Sequence, residues 1–175
     1  MQINSTQAAG LLAFVPAASA AALAFRAAGP GRLRERRTWA VIAAIHMLFA
    51  VEVVAMTRHH IVGAIDAWLI GAGLYSERRP AQAVMLLVVV LSAAAAMFAV
   101  MRRATTRRSS IAVGATAALA TLFLIESVSL HAVDALLYHP AGPVLLIGWL
   151  WLVCGWTTVA AAGSGRASGS SMPKD

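Results

Sequence analysis

The sequence predicts an all-α, polytopic membrane bundle of five transmembrane helices, with a short interfacial or re-entrant helix after the second. Three observations carry that prediction. Only 12% of the residues are charged while 60% are hydrophobic, against about 25% charged in a soluble domain. Five apolar runs each reach the length of about 20 residues that a helix needs to cross hydrocarbon. The arginines fall mainly in the short loops between those runs, which is the pattern of membrane topology.

The runs are 8–28, 38–57, 81–101, 110–130 and 143–162. Each is expected to be helical, because lipid offers no partner to free backbone N–H and C=O groups. A barrel is excluded by the runs being continuous and alanine-rich, without ten-residue alternation. The first run follows "MQINSTQ", which lacks a basic leader region, and is expected to remain as a span. Pro16 is placed to kink it, and Gly10, Ala17, Ala18, Ser19, Ala21 and Ala22 allow close helix approach. The third run carries a similar small-residue stretch, "SAAAAM".

The loops fix the expected orientation. "RAAGPGRLRERR" holds five arginines, "RRATTRR" holds four, and the tail adds Arg166 and Lys174. Five spans put these eleven basic residues on one side and leave Arg58, Arg78 and Arg79 on the other. A bacterial-type inner membrane, with the N-terminus outside and the C-terminus cytoplasmic, is therefore expected. Reading the segment 60–75 as a sixth span would divide the basic residues seven against seven. That segment is short, glycine-rich and contains Asp66, so an interfacial or re-entrant helix fits it better. Residues 1–162 are read as one membrane domain, and 163–175, rich in Gly and Ser, as a disordered cytoplasmic tail.

The net charge of +7 does not point to nucleic acid, since no aromatic–basic interleaving accompanies it. The expected partners are membrane lipid and other membrane subunits. Cys154 is the one cysteine and lies in an apolar run, where it reads as a small buried hydrophobe. No phosphate-binding loop, dinucleotide fingerprint or metalloprotease motif occurs.

The titratable residues concentrate on the expected outer side. Glu52 and Glu126 fall roughly one to one and a half turns inside the ends of their spans. An ionised carboxylate is costly there, so protonation, pairing or cation binding is expected. After each glutamate come a histidine and an aspartate: Glu52, His59, Asp66 and then Glu126, His131, Asp134. The spacings differ, so the repeat is imperfect. If the fourth helix continues past Leu130, Ser127, His131, Asp134 and Tyr138 share one face. Asp134 would then orient His131, as a metal ligand or a general base requires. Pro140 and Pro143 end any helix there. A continuous helix would likewise align Glu52, His59 and Asp66, whereas a break near Met56 would separate them. With His139, these residues form a candidate site for zinc or copper.

His46 is alone in mid-span, where a hydrogen bond between helices is expected. Haem is not expected, because no second histidine lies at its depth. Ser127, Tyr138 and His46 complete the set as proton-relay or pairing residues. Ser127-x-x-x-His131, with Asp134 beyond, resembles part of the Ser/His/Asp pattern of membrane zinc amidohydrolases such as the alkaline ceramidases. The later His-x-x-x-Asp-His element of that family is missing here, and the chain is not assigned to it. The expected function is thus a small, non-catalytic membrane protein whose outer cluster binds a cation or relays protons in transport or in a redox or assembly complex. The alternatives are a structural or assembly subunit and a metal-dependent hydrolase of lipid-like substrates.

Overall fold

The computed structural model describes residues 3–73, 106–128 and 131–167, and single positions between 80 and 102. The side chains of Arg58, His59 and His131 lie outside that description. The elements are α1 (Ser5–Ala27), α2 (Leu33–Ala55), α3 (Thr57–Gly71), α4 (Arg107–Val128), α5 (His131–Leu137), β1 (Pro140–Ala141), β2 (Val144–Leu145) and α6 (Leu146–Ala167). Among the described residues, four helices are long and apolar enough to cross a membrane: Ser5–Ala27, Leu33–Ala55, Arg107–Ser127 and Leu146–Ser164. The expected third span, 81–101, lies largely outside the described residues. Its described positions are helical, and Val84, Leu87, Val88, Leu91 and Phe98 among them are exposed.

Helix α1 is the centre of the bundle and packs along both α2 and α6. Its small residues explain why. Ala9, Ala13, Ala17, Ala21 and Ala24 are buried, and their spacing of three to four residues gives one continuous stripe. A methyl group built on Gly155 of α6 would lie 2.5 Å from the Ala13 carbonyl oxygen. The α1–α6 crossing therefore requires glycine at that point, as is common where dispersion and close backbone approach drive association in lipid. A methyl group on Gly10 would meet Trp151 and Val53 at 3.1 Å.

The start of α1 is well capped. The Asn4 side chain accepts from the Gln7 N–H at 2.8 Å, and the Gln7 side chain accepts from the Asn4 N–H at 3.0 Å. This reciprocal pair satisfies two donors that a helix start leaves open. Gln7 Nε2 also donates to the Val53 carbonyl at 3.1 Å, one of the last carbonyls of α2, which lack partners within their own helix.

Contacts along the bundle set its directions. Glu35 near the start of α2 meets Arg108 near the start of α4, so these two helices run the same way. Trp151 near the start of α6 packs with Phe14 of α1 and Phe123 late in α4, so α6 runs with α1 and against α4. One end of the bundle therefore gathers the end of α1, the starts of α2 and α4 and the end of α6. It is called the arginine end below. The other is the loop end.

The four helix starts each differ from the expected span starts by three to five residues, and two of these shifts have a local cause. Helix α2 begins at Leu33 rather than 38, because its arginine-rich first turns are helical but too polar to register as membrane span. Helix α6 begins at Leu146 rather than 143, because Pro140–Ala141 and Val144–Leu145 pair as a short antiparallel hairpin. Gly142 turns it with a φ of 75°, a conformation that suits glycine. Residues 163–167 continue α6, and 168–175 lie outside the described residues.

Met56 separates α2 from α3. It adopts φ 53° and ψ 30°, a left-handed conformation uncommon for a residue with a side chain. Helix α3 has 15 residues, about 22 Å of rise, which is too short to cross about 30 Å of hydrocarbon. Ile61, Ile65, Trp68 and Ile70 on it are exposed. That exposure gives a re-entrant placement, packed into the bundle, no support.

Candidate functional site

The break at Met56 decides the first expected alignment. Glu52 belongs to α2, whereas His59 and Asp66 belong to α3. The three therefore do not share one continuous helix face. Glu52 and Asp66 are both half-buried.

For the second expected stripe, Ser129 and Leu130, which join its two parts, lie outside the described residues. Ser127 lies near the end of α4, and His131, Asp134 and Tyr138 lie in or just after α5. The Ser127 hydroxyl donates back to the Phe123 carbonyl at 2.8 Å, a bond within its own helix. Glu126 is only 6% exposed, and its Oε1 accepts from the Tyr138 hydroxyl at 3.1 Å. Tyr138 thus reaches back to the buried glutamate. Its amide N–H bonds the Asp134 carbonyl at 2.9 Å, closing the last turn of α5.

His139 is exposed, and its carbonyl accepts from the Leu146 N–H at 3.0 Å. That bond closes the hairpin onto the start of α6. The Trp149 indole donates to the Ala141 carbonyl at 2.8 Å, and the Leu145 N–H donates to Thr6 Oγ1 at 3.4 Å. The loop carrying His139 is therefore tied to both α1 and α6. Among the described residues, no group of three or more His, Cys, Asp or Glu side chains is arranged to hold a metal ion.

His46 is fully buried in the middle of α2. Its Nε2 lies 3.3 Å from both Thr116 Oγ1 of α4 and Thr158 Oγ1 of α6. Each threonine hydroxyl also reaches a carbonyl of its own helix: Thr116 that of Ala112 at 2.8 Å, Thr158 that of Cys154 at 3.2 Å. The imidazole tautomer sets which group donates in each contact to Nε2. Nδ1 is buried with no hydrogen-bond partner among the described residues. Phe14 of α1 completes the layer, 6.3 Å from the imidazole between ring centroids. One histidine thereby links the α2, α4 and α6 helices at a single depth.

Outward from this layer, toward the loop end, the core becomes aromatic. Phe49 and Phe123 stack at 4.2 Å, and Phe123 and Trp151 stack at 5.6 Å. Phe14 packs against all three at 5.7–5.9 Å. Phe49 is three residues beyond His46, a rise of about 4.5 Å, and Phe123 is seven beyond Thr116, about 10 Å. Glu126 follows Phe123 by one further turn. An apolar layer thus separates the two titratable groups His46 and Glu126.

At the arginine end the structure brings together a pair that the sequence did not single out. Glu35 is 3% exposed. Its Oε1 accepts from Arg108 Nη2 at 2.5 Å and from Arg108 Nε at 3.2 Å. Arg32 approaches its other oxygen at 3.7 Å. Arg108 also lies 5.9 Å from the ring centre of Trp39. The available signal was a lone acid among five arginines in "RAAGPGRLRERR". A carboxylate so placed is paired almost by necessity, but only the fold shows that its partner comes from α4.

No protein-family model, curated protein or solved structure matches the chain. The arrangement itself is therefore what defines this protein: an apolar helical bundle, suited to a membrane, with polar groups buried in three separate layers.

Proposed function

We propose that this chain is a non-catalytic integral membrane protein that acts through packing and assembly. The observation that supports it is how its buried polar side chains are used. Glu35 clamps α2 to α4, His46 joins α2 to α4 and α6, and Glu126 receives Tyr138. The first two links hold the bundle together, and the third ties the chain after α4 back onto it. The aromatic layer between His46 and Glu126 favours this over a continuous proton path. The test is the size of the protein solubilised in mild detergent, read by native mass spectrometry. A stoichiometric complex, with itself or with a second subunit, is expected. A lone monomer at all protein concentrations would sink the proposal.

A cation- or proton-binding role at the loop end is the second reading, favoured by the burial of Glu126 within the membrane-spanning length of α4. Its test is titration of the purified protein with zinc and with copper, followed by metal analysis. No metal above background, or equal metal in a Glu126→Ala/His131→Ala variant, would remove it.

A further inference from the structure

Among the described residues, the arginine end carries a rim of positive charge in excess of its one acid. Arg26, Arg32, Arg34, Arg37 and Arg107 are exposed there. The one acid among the described residues at that end, Glu35, is withdrawn into the bundle and held by Arg108. Apolar side chains are interleaved with the guanidinium groups: Leu23 one turn before Arg26, Leu33 beside Arg34, and Ile111 one turn after Arg107 are all exposed. Cationic tips set against exposed apolar side chains match the boundary between headgroups and acyl chains, not a free aqueous surface.

We propose that this rim is a docking surface for anionic phospholipid headgroups. A phosphate accepts two parallel N–H donors from one guanidinium, which is a reason for arginine here in place of lysine. The acyl chains would lie along Leu23, Leu33 and Ile111. RNA is the other polyanion that such charge attracts, but it offers no match to the interleaved apolar side chains.

The experiment uses the full chain in mild-detergent micelles doped with phosphatidylglycerol or with phosphatidylcholine of the same acyl length. Retained lipid is counted by native mass spectrometry. Phosphatidylglycerol should be retained preferentially, and an Arg26→Gln/Arg34→Gln/Arg37→Gln variant should lose that preference by about a hundredfold, at about fivefold per arginine. The matching Lys variant keeps the charge and the insertion signal but loses the paired donors, and should fall between the native chain and the Gln variant. Equal retention of the two lipids by the native chain would overturn the proposal without reference to any variant. So would displacement of the lipid by excess inorganic phosphate, which would make the rim a free-anion site, or tighter binding of an RNA oligomer than of phosphatidylglycerol.

Discussion

Glu35 and Glu126 are both almost fully buried carboxylates, one near each end of the same bundle, yet the partners described for them differ in kind. Glu35 faces a guanidinium from another helix and is bonded twice to it. Glu126 is reached by a neutral phenol from just beyond the next short helix, twelve residues on. The first arrangement joins distant parts of the chain and fixes a charge pair. The second folds one stretch of chain onto itself. Burial alone does not reveal a carboxylate's role; its partner and the partner's distance along the chain do.

That contrast breaks most sharply at Glu35. Glu35→Ala leaves Arg108 beside Trp39 without its counter-charge, and removing one partner of a buried pair costs about 3 kcal/mol. Thermal unfolding in detergent should show this, and a double-mutant cycle with Arg108→Ala should recover much of it as coupling. An equal loss from Glu35→Ala in an Arg108→Ala background would mean that the pair is not the cause.

The middle layer comes next. His46→Ala removes a buried ring and both interhelical bonds, for about 2 kcal/mol by loss of packing and hydrogen bonding. His46→Leu keeps the volume and needs no acceptor for the ring proton, so it should cost less than alanine in the same melts. A leucine variant as costly as alanine would show that the polar link, not the volume, dominates.

The loop end should respond less. Glu126→Gln keeps an acceptor for Tyr138, and its effect is expected at about 1 kcal/mol. An effect as large as that of Glu35→Ala would erase the distinction drawn between the two ends. Tyr138→Phe is the mildest change, at about 0.5–1 kcal/mol, because it removes one bond from a neutral donor. It should also leave unfolding cooperativity unchanged, since the hairpin stays tied to Thr6 and Trp149.

Much of the architecture was legible in the sequence because hydrocarbon thickness imposes a length on apolar runs. The runs at 8–28, 38–57, 110–130 and 143–162 each coincide with most of a helix in the bundle. Their ends shift where helix and membrane span are different things, as in the arginine-bearing first turns of α2. The hairpin at Pro140–Leu145 escaped because a two-residue strand pair leaves no periodicity to read. The broken alignment of Glu52 with His59 and Asp66 depended on the φ of one methionine, and nothing in "VAMTRHH" announces a left-handed residue. Histidine 46 stood out as a mid-span imidazole. Its partners Thr116 and Thr158 did not, because threonines in spans normally back-bond to their own helix, and these do so as well. Glu35 was counted with its arginine neighbours as part of a loop, and contacts across more than seventy residues are not written in local pattern.

The aromatic layer has an electrical consequence. In a membrane under voltage, potential falls across regions that contain neither water nor mobile charge. Phe14, Phe49, Phe123 and Trp151 form such a region inside the protein itself. Charges at the arginine end and at the loop end then sit at different potentials, and carrying one elementary charge from end to end would involve about 2.3 kcal/mol per 100 mV. In circuit terms these four rings are a dielectric layer between the two ends of the bundle.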